Sequence, residues 1–281
     1  MDEKEKEALK RRESEQQRLE ELKQQGARKL AAGEDQRRKR MLAEEKTERL
    51  EKLLFNFVNY TMWASVIIIS VLMIKAPAAA YDGMPAYVHP KAYYTLMLSE
   101  SVLGCVVMLA ARKVQGWIRI PSYMLIPFVI FLYCAIFLGE VRSFYYRFSN
   151  WDTFLHFFSA GMLGSLAFSI ISILNQSKKV PVTLSPGFIA MFAFCFAVAC
   201  GAIWEIYEFT FDGILGLNMQ KFMLEDGTQL VGRAALADTM EDLITDVCGA
   251  GLVALSGYLA MKRNSIRWLN RIQLRPSTEK D

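Results

Sequence analysis

Residues 188–211 read FIAMFAFCFAVACGAIWEIYEFTF, an apolar run whose last turns carry Glu205 and Glu208. A helix of about 20 apolar residues spans the hydrocarbon core of a bilayer. A charged side chain at the centre of that core costs about 2.5–3.5 kcal/mol on insertion scales, so intramembrane carboxylates are functional candidates by default. The run therefore predicts a membrane helix whose two glutamates, three residues apart on one face, have a specific role.

Apolar stretches of similar length recur through the chain, which has 281 residues, 53% of them hydrophobic. The predicted spans are 55–74, 94–111, 121–139, 153–174, 188–211 and 238–260. Each is about as long as a membrane-crossing helix needs to be. The predicted fold class is all-α, a polytopic membrane bundle of six transmembrane helices with a charged cytoplasmic N-terminal helix.

Charged residues are concentrated at the two ends of the chain. Residues 1–53 are rich in Glu, Lys, Arg and Gln and contain no aromatic residue, which predicts a solvated helical arm, broken or hinged near Gly26 and Gly33. Contact of its basic cluster at 37–40 with anionic lipid headgroups is the alternative. The predicted transmembrane domain is 54–261, and 262–281 form a basic cytoplasmic tail.

The basic residues also predict the orientation, because loops rich in Lys and Arg stay on the cytoplasmic side. They concentrate in the N-terminal arm, in the connections 112–119 and 178–179, and in the C-terminal tail. Both termini are therefore expected in the cytoplasm. The expected partner is the lipid bilayer, no nucleic-acid partner is expected, and the oligomeric state stays open.

Ionisable residues are grouped at the outer ends of the predicted spans. Asp152 and His156 open the fourth span one turn apart, and Asp238, Asp242 and Asp246 follow one face of the sixth. Asp152 and Asp238 could each also act as helix caps, a common role for aspartate.

Glu100 in the second span and Glu140 at the end of the third extend this grouping. The candidates for catalysis are Asp152, His156, Glu205, Glu208, Asp238 and Asp242. The candidate metal ligands are His156, Glu205, Glu208 and Asp242, and the supporting residues are Asp246, Arg233, Glu140 and Glu100.

Carboxylates that converge at low dielectric must be protonated, paired with Arg142 or Arg233, or neutralised by a cation. Oxygen ligands with one imidazole suit Mg²⁺, Mn²⁺, Ca²⁺ or Zn²⁺. Three functions stay open: cation-dependent binding or processing of an envelope lipid or its headgroup, proton- or cation-coupled transport, and a structural role without catalysis.

Three separated motifs carry a resemblance to a known family. GEVRSFYYRFSNWDTFLHFFSAGMLG, WEIYEF and DTMEDLITDVCGAG, within residues 139–255, resemble the YjdF-like inner-membrane family of bacteria. That family's Asp-x3-His, Glu-x2-Glu and Asp-x3-Asp fall on Asp152/His156, Glu205/Glu208 and Asp238/Asp242.

The VanZ-like family is similar at a greater distance. Its Asp-x3-His, acidic pair, Gly-Arg and Asp-x3-Asn-x2-Gly fall on Asp152/His156, Glu205/Glu208, Gly232/Arg233 and Asp242/Asp246/Gly249, with Asp246 in place of the asparagine. These resemblances imply a protein of the plasma (inner) membrane of a bacterium. They imply a shared site but no substrate, since YjdF-like proteins are uncharacterised and VanZ-like proteins are linked to glycopeptide tolerance without an agreed reaction.

Overall fold

The structure is a computed structural model that describes the backbone of residues 3–79, 89–176, 184–224, 228–263 and 275–276. In chain order the elements are α1 (Glu3–Lys75), α2 (Lys91–Gln115), β1 (Ile118–Arg119), α3 (Ser122–Leu132) with a π-helical continuation (Tyr133–Val141), α4 (Phe144–Arg147), α5 (Trp151–Gln176), α6 (Pro186–Leu215), a 3-10 turn (Ala234–Leu236), α7 (Ala237–Lys262) and β2 (Arg275–Pro276). The two-residue strands β1 and β2 pair in antiparallel orientation.

Six of the described helical segments are long and apolar enough to cross a membrane. Their positions match the six spans expected from the sequence, so the all-α six-span fold is confirmed. Several helices extend beyond the expected bounds; α2 runs to Gln115 and α6 to Leu215, each four residues beyond its expected end. Gly216 ends α6 by adopting the left-handed conformation (φ 65°), which glycine reaches without steric cost.

The chain divides into two compact units, Met1–Leu50 and Glu51–Asp281. Within the first unit α1 continues through Gly26 and Gly33, so the expected hinge is wrong. A glycine inside a helix costs only about 1 kcal/mol relative to alanine, which the surrounding strong helix formers can tolerate.

The helices of the second unit pack through side chains of different size in different places. α1, α2 and α3 with its π-helical continuation pack around large apolar residues, including Val58, Met62, Met108, Val129 and Ile136. α5, α6 and α7 pack mainly through small residues, including Ala160, Ala167, Ala193, Ala197, Ala250 and Ala254. Small residues let the backbones of membrane helices approach closely.

Two glycines mark the closest approaches among α5, α6 and α7. A Cβ at Gly201 of α6 would overlap the carboxylate of Asp246 in α7. A Cβ at Gly249 of α7 would overlap the backbone carbonyl oxygen of Phe157 in α5. At Gly249 the overlap is with backbone atoms, so only glycine fits there, whereas a side chain at Gly201 would displace the Asp246 carboxylate. These contacts bring the polar faces of the three helices together.

The polarity of α6 is inverted relative to a helix of a water-soluble protein. Its buried face carries Glu205, Glu208 and Asp212 at helical spacing. The rest of its surface exposes large apolar side chains, namely Ile203, Ile206, Phe209 and Ile214. Hydrocarbon accepts such a face without penalty, so this arrangement is expected of a helix that spans a bilayer around a polar interior.

Candidate functional site

His156 of α5 is the centre of a buried polar cluster. Its Nδ1 lies 3.3 Å from Oδ1 of Asp246. Its Nε2 faces three carboxylate oxygens, at 3.8 Å from Asp152 Oδ1, 3.8 Å from Glu205 Oε1 and 4.0 Å from Asp242 Oδ2. Three of the four candidate metal ligands, His156, Glu205 and Asp242, therefore lie together.

The two ring nitrogens of His156 have different surroundings. The contact with Asp246 suits donation from Nδ1–H, which orients the ring and leaves Nε2 as the acceptor or ligand atom. Asp246 is 1% exposed, so its carboxylate is screened little by solvent. Asp246 is thus placed to set the tautomer of the imidazole.

The Nε2 side of the ring has the dimensions of a cation site. One ligand atom each from Asp152, His156 and Asp242 lie within 4.8 Å of one another. Ligand atoms around one ion are about 3–4 Å apart when the metal–ligand bonds are about 2.0–2.6 Å. Glu205 Oε1 and Asp242 Oδ2 have no hydrogen-bond partner among the described residues, so two buried acceptors are open to a ligand.

Lys221 is a site residue that the sequence did not reveal. Its Nζ lies 2.7 Å from Asp152 Oδ2 and 2.7 Å from Asp238 Oδ1, so it joins the first turns of α5 and α7. Burial alone lowers the pKa of the Lys221 ammonium, but the charge of Asp152 and hydrogen bonds to Asp152 and Asp238 outweigh it and hold the pKa above its usual range.

Asp152 has a separate role for each of its oxygens. Oδ2 accepts from Lys221, while Oδ1 faces the imidazole of His156. Asp238 also pairs with Lys221 and does not cap α7, whose N-cap position is Leu236. One ammonium and one imidazole thus face five carboxyl groups, and a divalent cation would offset part of the excess negative charge. Those carboxyl groups belong to Asp152, Glu205, Asp238, Asp242 and Asp246.

The connection after α6 is folded back so that Lys221 reaches the cluster. Asp212 accepts hydrogen bonds from the backbone N–H groups of Met219 (2.8 Å) and Gln220 (3.0 Å). Lys221 itself has φ 47°, an uncommon conformation for a residue with a side chain. Asn218 closes the turn through its side chain, bonded to both the N–H and the carbonyl of Met223.

Gln220 links this connection to α6 and α7. Its Nε2 donates to Thr239 Oγ1 at 2.9 Å and to Glu205 Oε2 at 3.3 Å. Glu205 therefore has one oxygen held by Gln220 and the other directed at His156. Holding one oxygen of a carboxylate is how outer groups orient a ligand.

Glu208, Glu100 and Glu140 lie apart from the His156 cluster. Glu208 Oε1 accepts a hydrogen bond from Trp204 at 2.9 Å, and no contact between Glu208 and His156 is found in the described residues. All three glutamates line a neighbouring cavity of about 240 Å³, which also reaches Asp152 and Lys221. Glu208 therefore lines this cavity and does not share the contacts that join His156 to Asp152, Glu205 and Asp242.

The two arginines expected to balance the carboxylates do not reach them. Arg142 and Arg233 are exposed, and neither forms an ion pair with a carboxylate in the part of the chain that the structure describes. Lys221 provides that charge instead. Asp212 could have been found from the sequence, since it continues the 205, 208 spacing by one turn, but no spacing pointed to Lys221.

Comparisons with known proteins give one relative and one family. A protein of Thermotoga maritima described as "Uncharacterized protein" is 32% identical over 130 residues, which cover 46% of this chain and 57% of that protein. The chain thus spans somewhat over half the length of that relative. No solved structure matches.

The family described as "Predicted membrane protein (DUF2238)" matches residues 60–263, which include five complete predicted spans and every residue of the cluster. A match over that much of the chain assigns the family. The chain therefore belongs to the DUF2238 family of predicted membrane proteins.

Proposed function

We propose that this protein binds a divalent cation inside the membrane through Asp152, His156, Asp242 and Glu205, and uses it to bind or process the polar headgroup of an envelope lipid. Asp246 and Lys221 act as positioning residues for this site. Mn²⁺ and Zn²⁺ suit an imidazole with carboxylates better than Mg²⁺ or Ca²⁺, which favour oxygen ligands alone.

One observation carries the proposal. Nε2 of His156 faces oxygens from three carboxylates on three different helices at 3.8–4.0 Å, while Nδ1 contacts Asp246. A histidine held by a carboxylate at one nitrogen and open at the other is the usual arrangement of a metal-ligating imidazole. Bringing three carboxylates to one point is costly at low dielectric, and a cation compensates that cost.

The position of the cluster favours a lipid over a soluble substrate. The cluster lies in the terminal turns of predicted membrane-spanning helices, beside a cavity lined by Trp204, Tyr93 and Leu96. Headgroups of bilayer lipids reside at this depth, where aromatic residues are also common. We place the site on the outer face of a bacterial inner membrane, with both termini in the cytoplasm.

The family match supports the resemblance to YjdF-like proteins, and the VanZ-like resemblance rests on the shared motifs. Transport is the weaker alternative because the buried ionisable residues of the described chain lie at one end of the bundle. Beyond Asp246, α5, α6 and α7 pack through Ala167, Phe168 and Ala193. A transport path needs polar groups along the whole crossing.

Metal analysis tests the proposal directly. Purified wild-type protein should hold about one equivalent of a divalent metal after dialysis against micromolar Mn²⁺ or Zn²⁺. Asp242→Asn and His156→Gln should each lower the affinity by roughly tenfold or more, because each removes a ligand atom. The matched control is Glu241→Gln, since Glu241 neighbours Asp242 on α7 but is exposed.

Retention of metal by Glu241→Gln together with loss in the other two variants supports the site. Wild-type protein that takes up neither metal, or ligand variants that bind as wild type does, would overturn it.

A further inference from the structure

The cavity beside the His156 cluster is small and is enclosed by several helices. It has a volume of about 240 Å³ and lies between α2, the π-helical continuation of α3, α6 and the connection that carries Lys221. Pockets for drug-sized ligands are larger, about 300–1,000 Å³. A cavity of this size suits a headgroup-sized ligand or part of a larger one.

Three buried glutamates from three helices line this cavity. Glu100, Glu140 and Glu208 are 5%, 7% and 5% exposed. Glu140 Oε2 and Glu208 Oε2 have no hydrogen-bond partner among the described residues. Buried acceptors without a partner are rare in native proteins and call for a donor from elsewhere, such as a ligand.

The π-helical continuation of α3 explains how Glu140 reaches the cavity. Arg142 N–H bonds to the Phe137 carbonyl at its end, the wider spacing of a π-helix. A Cβ at Gly139 would overlap the ring of Tyr145, so Gly139 permits that ring to pack beside Glu140. Short π-helical segments of this kind are frequent at functional sites.

The arrangement disfavours a second metal ion in this cavity. The described residues bring three ligand atoms within bridging distance only at Asp152, His156 and Asp242, and not at the three glutamates. Lys221 also lines the cavity, but its ammonium is already shared by Asp152 and Asp238. A larger cation with several donors could contact more than one of these glutamates without bringing their oxygens that close together.

Aromatic side chains complete the walls. Tyr93 and Tyr146 lie with ring centroids 6.3 Å apart, and Trp204 stacks on Tyr207 at 4.9 Å. Tyr93, Tyr146 and Trp204 all line the cavity. Aromatic faces attract ammonium groups, most strongly where water is excluded. Carboxylates combined with aromatic walls recognise an amine better than a phosphate or a neutral sugar.

We propose that the cavity lined by Glu100, Glu140 and Glu208 binds the ammonium group of an amine-bearing ligand. This inference rests on the headgroup-binding role proposed above and names the class of headgroup, but it does not require the metal. The amine can come from an aminophospholipid or from a small free amine, and the same glutamates would bind either.

Ethanolamine is the probe for the free amine. Full-length protein in nanodiscs of phosphatidylglycerol should bind radiolabelled ethanolamine. Glu140→Gln and Glu208→Gln should each weaken that binding by roughly tenfold or more, because each removes a charge-assisted hydrogen bond while keeping the side-chain shape. Glu241→Gln, on an exposed glutamate, should bind as wild type does.

Phosphatidylethanolamine is the probe for the lipid source. In mixed phosphatidylethanolamine and phosphatidylglycerol, native mass spectrometry should find phosphatidylethanolamine enriched on wild-type protein and not on Glu140→Gln/Glu208→Gln. Enrichment without ethanolamine binding identifies the lipid as the source, and the reverse identifies the free amine. Binding of neither probe, or equal binding by the double variant, overturns the proposal.

Metal content measured on the same samples separates this proposal from the previous one. Glu140→Gln should keep the wild-type metal content, since Glu140 lies outside the His156 cluster. Metal without amine binding in wild-type protein defeats the amine site alone, and amine without metal binding defeats the cation site alone.

Discussion

At the scale of single residues, Lys221 determines how Asp152 and Asp238 can coexist. The ammonium of Lys221 lies 2.7 Å from an oxygen of each carboxylate and forms an ion pair with both at the edge of the cluster. Asp152 can then direct its second oxygen at His156. Without the ammonium, both carboxylates would lose their charge partner while staying largely buried.

Lys221→Met tests this role. We expect the free energy of unfolding to fall by about 1–2 kcal/mol. This is less than for removal of a fully buried charge partner, because the Lys221 side chain is 36% exposed and solvent screens its ion pairs. Lys221→Arg should retain most of the stability, and Lys91→Met, on an exposed lysine of α2, should change it little. The free energy of unfolding of the three variants is compared with that of the wild type in detergent micelles.

The pH dependence follows from the raised pKa of Lys221. A group whose folded pKa is raised stabilises the fold fully below its unfolded pKa, about 10.4 for lysine, and loses that effect as pH rises through the folded pKa. The stability difference between wild type and Lys221→Met should thus be constant from pH 7 to about pH 10. A difference that vanished already near pH 8 would contradict the ion pairs.

At the scale of elements, α6 and α7 meet where Gly201 leaves room for the carboxylate of Asp246. The site therefore depends on helix packing as well as on its polar residues. Gly201→Ala should push Asp246 away from Nδ1 of His156. We expect a loss of about 1–3 kcal/mol in the free energy of unfolding, and metal affinity lowered by roughly tenfold or more.

Gly213→Ala is the matched control on the same helix, because a Cβ at Gly213 meets nothing within 4 Å. It should leave metal content unchanged and stability unchanged or slightly raised, since alanine favours a helix over glycine. Denaturation and metal analysis distinguish the two variants. Equal behaviour of both would mean that the contact of Gly201 with Asp246 does not support the cluster.

The same elements explain what the sequence could predict. The spacing of Asp152/His156, Glu205/Glu208 and Asp238/Asp242 predicts shared helix faces, because helical periodicity fixes which side chains lie together. Connections have no such period. The fold-back that brings Lys221 to Asp152 depends on Asp212 bonding to the backbone of Met219 and Gln220, which no pattern in the sequence indicates.

Glu208 illustrates a finer limit of prediction. Glu205 and Glu208 share one broad helix face, yet one contacts Gln220 and faces His156 while the other contacts Trp204 and lines the cavity. Residues three apart differ by about 60° around a helix, and that angle is enough to separate two neighbouring sites.

At the scale of the whole molecule, the polar cluster lies at the end of the second unit where α2, α5 and α7 begin. Basic residues are concentrated toward the other end, at Arg112, Lys113 and Lys262. Because basic connections stay in the cytoplasm, this asymmetry predicts that the cluster faces outward. An outward site would meet lipids of the outer leaflet and extracellular cations, whereas an inward site would meet cytoplasmic ones.

Cysteine labelling in intact cells tests the orientation. Val231→Cys places a thiol at a side chain that is 85% exposed in the connection between α6 and α7. We expect a membrane-impermeant maleimide to label it without lysis, while Lys113→Cys, in the last turn of α2, should react only after permeabilisation. The wild type gives the background of the five native cysteines, which all lie in described helices. The reverse labelling pattern would mean that the site faces the cytoplasm. The geometry of the site and its candidate ligand residues would be the same, but the lipids and cations that can reach it would be those of the cytoplasmic side.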